Sequence, residues 1–281
     1  MKKYYLPLAI LTLAAAVVSC DDDNKGIDYS KPRTWNVEVL NHVLNTSTGE
    51  ALSPSLSKQQ IVWTLSDDKG TFTFSPTLRV SIGGGEQTFS TGEIKAPNSE
   101  EHTSVYSFNN AALTDAKQFT GMINPMEQTL YWRYVTESGF RVISTPPLIS
   151  TASGMVTKSD YGDTITNHVT PAYTIKIDPS HMTANVVILN YTHARKGITY
   201  TSITMNGVPF ETTPNGYEIK LDKGAATAVY PVFNEKPKSE TFNVKDLKIT
   251  INLNDNIVDA GMTLFTTKGK ILVISTGAIH V

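Results

Sequence analysis

Tyr131, Trp132, Arg133 and Tyr134 stand side by side, between Leu130 and Val135. Successive side chains of a strand point to opposite faces, so Leu130, Trp132 and Tyr134 share one face and Tyr131, Arg133 and Val135 the other. One of the two faces is expected in the core. An exposed aromatic ring beside an arginine makes a platform that can stack on a sugar ring and hydrogen-bond its hydroxyls. Tyr131, Trp132, Arg133 and Tyr134 are therefore the candidate ligand-binding residues. The plainer reading has Trp132 filling the core while Arg133 lies along the outer face beside Tyr131. Trp35 and Trp63 sit in ordinary strand patterns and are expected to fill core volume.

Catalytic chemistry leaves no local signature. The six histidines, at 42, 102, 168, 181, 193 and 280, show no pair spaced to put two imidazoles on one face of an element. The most polar settings are Asp178-Pro-Ser-His181 and Tyr191-Thr-His-Ala-Arg195, and a loop histidine there is expected to be solvated. A Gly-x-Ser-x-Gly elbow is missing, and Gly83-Gly84-Gly85-Glu86 lacks the Lys-Ser/Thr of a phosphate loop. Asp67-Asp68 and Glu100-Glu101 are adjacent carboxylates, expected in water. Asp160 to Asp163 and Asn252 to Asp259 offer oxygen ligands for calcium but not the spaced loop of an EF-hand. No catalytic residue, metal ligand or cofactor is expected.

The remaining reactive group is Cys20, the single cysteine of 281 residues. Lys2 and Lys3 precede an apolar run from Tyr4 to Val18, too brief to span a bilayer, and Val17-Val18-Ser19-Cys20 leads into Asp21-Asp22-Asp23. This arrangement resembles the lipobox of bacterial lipoproteins, and the acidic triplet resembles the surface-export signal of lipoproteins from Bacteroidota. The resemblance covers the N-terminal tenth of the chain. It implies that residues 1–20 are a signal peptide ending at the lipidated cysteine, that Cys20 carries a diacylglycerol, and that the protein is an outer-membrane lipoprotein facing the outside. More than one acyl chain is needed for stable attachment, and a lipoprotein cysteine carries several. Residues 21–33 then read as a flexible tether.

With Cys20 lipidated, no disulfide can form, so stability must come from core burial, for which about 250 mature residues suffice. Charge is nearly balanced, 24 basic against 26 acidic residues, with no basic stripe. Nucleic acid is therefore not an expected partner. The expected partners are the membrane, through the lipid anchor, and a glycan or protein ligand.

The body of the chain must position whatever site exists, and it alternates in period two. Phe72 and Phe74 alternate with threonines; so do Tyr173, Ile175 and Ile177 with polar residues, then Tyr217, Ile219 and Leu221, then Leu247, Ile249, Ile251 and Leu253. Ile271-Leu-Val-Ile274 is apolar on both faces and reads as a central strand. Asn206-Gly207 and Asn215-Gly216 supply hairpin turns. The pattern predicts an all-β fold of two tandem antiparallel β-sandwich-like units, at 34–147 and 154–281, joined by a linker from Pro146 to Gly154. The alternative is a calycin-like meander barrel.

Internal echoes suggest duplication. Ile61–Phe74 resembles Tyr173–Val187, Ser107–Asn110 resembles Val232–Glu235, Phe119–Asn124 resembles Leu247–Asn252, and Phe140–Thr145 resembles Ile271–Thr276. The functional expectation is a cell-surface or periplasm-facing lipoprotein acting as a non-catalytic binding module for glycan or protein. A fimbrial or adhesin subunit, in which an edge strand of one copy completes another, is the alternative, supported by the strand Ile271–Ile274 with its two apolar faces; a hydrolase with dispersed residues ranks behind both.

Overall fold

The computed structural model describes residues 28–98, 104–151, 155–159, 164–167, 173–193, 198–266 and 269–279, and it is all-β: no described residue is helical. The leader, Cys20 and the acidic triplet lie outside the described residues, as do Glu100, Glu101, Asp160 to Asp163, Arg195, His102, His168 and His280.

The period-two segments become strands with one dry and one wet face. In β3 (Thr71–Ile82), Phe72, Phe74, Leu78, Val80 and Ile82 point inward and are buried. That strand belongs to the first of two antiparallel sheets, with β1 (Arg33–Asn45), β2 (Ser55–Leu65), β4 (Gly85–Ser90), β5 (Ile94–Pro97), β6 (Tyr106–Leu113), β7 (Ala116–Asn124), β8 (Thr129–Thr136) and β9 (Phe140–Thr145). The spatial order is β4-β3-β2-β1-β9-β8-β7-β6, with β5 on the near half of β3. Twist and inward-facing apolar residues curl the sheet until Asn98, just past β5, bridges Tyr106 of β6. Opposite walls then pack face to face. Phe74, Phe108, Phe119 and Trp132 meet in sequence at centroid separations of 5.2, 4.8 and 5.7 Å, in tilted or edge-on geometries that aromatic rings favour.

Buried polar groups at one end of this core are paired. Ser144 Oγ donates to Asn41 Oδ1 at 2.7 Å, Asn41 Nδ2 donates to Ser57 Oγ at 2.6 Å, and the Gln59 amide donates to the Arg79 carbonyl at 2.7 Å. Such pairing removes the penalty of burying amides.

The second sheet comprises β10 (Leu148–Ser150), β11 (Met155–Ser159), β12 (Thr164–Asn167), β13 (Tyr173–Asp178), β14 (Thr183–His193), β15 (Ile198–Thr213), β16 (Gly216–Tyr230), β17 (Lys238–Asn252), β18 (Ile257–Thr266) and β19 (Gly269–Ala278). Its order is β10-β13-β14-β15-β16-β17-β18-β19-β11-β12. It also curls back: Thr151, just past β10, bridges Ile279, just past β19. The stretch expected as a linker thus contributes a strand, because Leu148 to Ser150 pair with Thr174 to Lys176.

The two strand orders correspond. β1 lies between β2 and β9 as β10 lies between β13 and the end of β19, and each sheet then runs on as a meander. Three sequence echoes fall at equivalent places: β2–β3 with β13–β14, β7 with β17, and β9 with β19. The fourth does not, since Ser107–Asn110 is strand whereas Val232–Glu235 is the turn between β16 and β17.

The outer wall of the first sheet closes against the second. Leu40 of β1, Tyr131 of β8 and Ile143 of β9 point away from their own core and join the buried cluster of the other unit. His42 Nε2 donates to the Thr213 carbonyl at 2.7 Å, and Arg141 Nη2 donates to the Pro214 carbonyl at 3.1 Å.

Candidate binding groove where the sheets meet

Three neighbouring strands present a row of polar side chains outward. In β6, Tyr106 and Phe108 turn into the core, which sends Ser107 and Asn109 out. In β7, Thr120 lies opposite Arg133 of β8. Inward packing of Trp132 and Tyr134 obliges Arg133 to face out. Thr120 Oγ1 is 2.9 Å from both the Phe108 carbonyl and Asn109 Oδ1, so its hydroxyl fixes the Asn109 amide.

Two irregularities shape this wall. The β6–β7 register shifts between Phe108 and Leu113, and the β7–β8 register shifts between Lys117 and Thr120. Asn110 and Gln118 occupy these bulges with φ of 50° and 57°. Bulges bend a strand and re-aim its side chains, and they concentrate beside functional sites. Gly121 lets β8 come close: a Cβ there would lie 2.4 Å from the Tyr131 carbonyl oxygen and 2.6 Å from Trp132 Cβ.

The wall opens on a cleft of about 590 Å³. Lys95, Asn109, Thr120 and Arg133 supply polar groups; Pro97, Phe108, Met122 and the edge of Tyr131 supply an apolar floor. The far side is Asn254-Asp255-Asn256, the hairpin between β17 and β18, so both sheets build the cleft. A second hollow of about 330 Å³ adjoins it through Asn109, Thr120 and Arg133, and adds Asn110, Gln118 and Arg141. Asp255 is the carboxylate among the described residues lining the cleft, and its Oδ2 accepts from Asn252 Nδ2 at 2.6 Å.

The four sequence candidates separate. Trp132 and Tyr134 are core residues at 0% and 1% exposure, and burial raises the Tyr134 phenol well above its usual range. Tyr131 is 6% exposed, packed at the junction and donating to the Leu253 carbonyl. Burial pushes its phenol up as well. Arg133 alone of the four is exposed to solvent. On the outward face, Arg133 stands exposed among carboxamides and hydroxyls, beside a Tyr131 that is mostly buried. Asn109, Thr120, Arg141 and Asn254 carried no local signal, because four separate segments supply them.

His42 also escaped the sequence reading. It is fully buried, its ring meeting Tyr217 edge-on at 5.6 Å. Since Nε2 donates to Thr213, Nδ1 is the bare nitrogen, and it has no hydrogen-bond partner. Burial, and secondarily the Arg141 charge, hold the His42 pKa below its ordinary value, against the Thr213 carbonyl. His181, by contrast, is exposed as expected. Asp178 Oδ1 accepts from Ser180, Oδ2 lies 2.8 Å from His181 Nδ1, and these bonds, Ser180 first, hold the carboxyl at about 2. Ser180 and Asp178 both address Nδ1 of His181, which is turn chemistry and not the two-nitrogen relay of a hydrolase.

Asn252 Oδ1 accepts from the backbone of Asn254 and Asp255, closing the second acidic loop on itself. Among the described residues no cluster of three potential metal ligands comes together. Ile271 and Val273 are buried, but Leu272 and Ile274 are 37% and 43% exposed, so this strand alternates, whereas the sequence predicted apolar burial on both faces. It is paired on both sides, with β18 and β11, which leaves no free edge at Ile271–Ile274.

The chain matches no family model and no curated protein. Among solved structures, a protein provisionally assigned to the outer membrane of Bacteroides fragilis NCTC 9343 is similar over 88% of this chain and 96% of its own, at 12% identity and a TM-score of 0.31. A likeness that distant defines neither a family nor a function.

Proposed function

We propose that this protein is a non-catalytic glycan-binding module, tethered to the outer membrane through lipid on Cys20 and facing outward. The observation that carries the binding role is the row Asn109–Thr120–Arg133, set across three strands and opening on the 590 Å³ cleft. Amides, a hydroxyl and a guanidinium around a small apolar floor match what a sugar offers, a rim of hydroxyls around apolar C–H faces. Strand-borne groups are held rigidly, so little ordering cost accompanies binding. The tether and location rest on the lipobox-like leader and the lone cysteine.

A glycan array probed with the detergent-solubilised full chain tests the binding role, with retention of at least one oligosaccharide class expected. Retention of none would contradict it. Mass spectrometry of natively expressed protein tests the tether: a chain starting at a diacylglyceryl-modified Cys20 is expected, and a bare thiol on an unprocessed chain would overturn it.

A further inference from the structure

We propose that the groove selects an acidic glycan, with Arg133 and Arg141 together receiving a carboxylate or sulfate group of the sugar. This rests on the groove being the glycan site and names the class of sugar it takes.

The two arginines are diagonal neighbours on the outward face: Val135 of β8 pairs with Arg141 of β9, and Arg133 pairs with Ile143. Diagonal positions of an antiparallel pair lie roughly 7–8 Å apart at Cα, within reach of long side chains. Both line the 330 Å³ hollow with Asn109, Asn110, Gln118 and Thr120. Among the described residues neither forms an ion pair. Arg141 is partly buried and anchored through Nη2 to the Pro214 carbonyl, while its Nε is buried without any partner. Burial, followed by the Arg133 charge, pulls the Arg141 pKa down.

Two like charges set together repel. A sugar oxyanion between them, bonded through the nitrogens that face the hollow, would relieve that repulsion. Guanidinium groups suit carboxylate and sulfate because their N–H donors form a planar fork matching two oxygens. The surrounding carboxamides donate to the same group or to neighbouring hydroxyls. Asp255 faces the larger cleft, does not line the hollow that holds both arginines, and bonds through Oδ2 to Asn252.

Calorimetric titration of the full chain with trigalacturonate, its fully methyl-esterified form and a chondroitin sulfate hexasaccharide tests this directly. Esterification removes charge while keeping the ring and its hydroxyls. Binding of trigalacturonate or the sulfated hexasaccharide is expected, the first identifying a carboxylate and the second a sulfate as the oxyanion source. For trigalacturonate, the ester is expected to bind about tenfold more weakly; for either ligand, Arg133→Gln should lose about tenfold. Arg133 is exposed, so R133Q is expected to fold normally. Equal binding of acid and ester, with the sulfated sugar unbound, would overturn the acidic preference while the glycan role stands. Acidic binding unchanged in R133Q would likewise overturn it. Failure of the wider function would show separately, as an array with no retained sugar.

Discussion

Tyr131 of β8 donates its phenolic hydrogen to the carbonyl of Leu253, in the hairpin that follows β17, and so joins the outer wall of the first sheet to the second. Beside this bond the hairpin Asn254-Asp255-Asn256 forms the far side of the cleft. The aromatic that the sequence offers as a sugar platform thus serves chiefly to set the distance between the walls. Tyr131→Phe leaves the Leu253 carbonyl buried and unpaired, and is expected to cost about 1–3 kcal/mol in urea unfolding. Tyr131→Ala should cost about 3–5 kcal/mol. Wild-type stability in both variants would show that the junction is not held as described.

Trp132 sits at the centre of the first core, and Gly121 allows β7 to pass over it. Trp132→Ala is expected to lose about 3–5 kcal/mol through cavity formation. Gly121→Ala pushes a methyl group against backbone, and a loss of about 1–3 kcal/mol is expected. Chemical denaturation measures both. A Trp132→Ala variant as stable as the parent but deficient in sugar binding would return Trp132 to the ligand surface.

His42 gives the molecule an acid-sensitive joint. Its folded-state pKa is depressed, so below the ordinary histidine value of 6.5 the unfolded chain binds a proton that the folded chain refuses. Stability from this group is complete above about pH 6.5 and is lost as pH falls toward the folded-state value. Arg141, Tyr217 and the Thr213 carbonyl surround the ring, and none of them accepts a proton from Nδ1. Urea midpoints from pH 7.5 to 5.5 should fall in the parent chain and fall less steeply in His42→Gln. Parallel slopes would place the acid sensitivity elsewhere.

The fold was readable because period-two alternation reports burial directly: Phe72 and Phe74, or Ile249 and Ile251, announce an inward face before any neighbour is known. The same alternation placed Arg133 outward. It failed where burial comes from another unit. Leu40 and His42 face away from their own core and are covered by the second sheet, so Val39-Leu-Asn-His-Val-Leu44 is buried at every position. The apolar residues on both sides of that run were the available signal. The rest of the groove was hidden because Lys95, Asn109, Thr120, Arg141 and Asn254 converge only through strand order and the packing of sheet against sheet. Leu272 and Ile274 misled in the opposite sense, being apolar yet exposed.

The sharpest measurement compares Arg133→Ala with the parent chain on one glycan array, alongside thermal melts of both. Loss of the retained sugars by about tenfold or more is expected, with melting temperatures agreeing within about 2 °C. Undiminished retention by the folded variant would contradict the groove as the binding site.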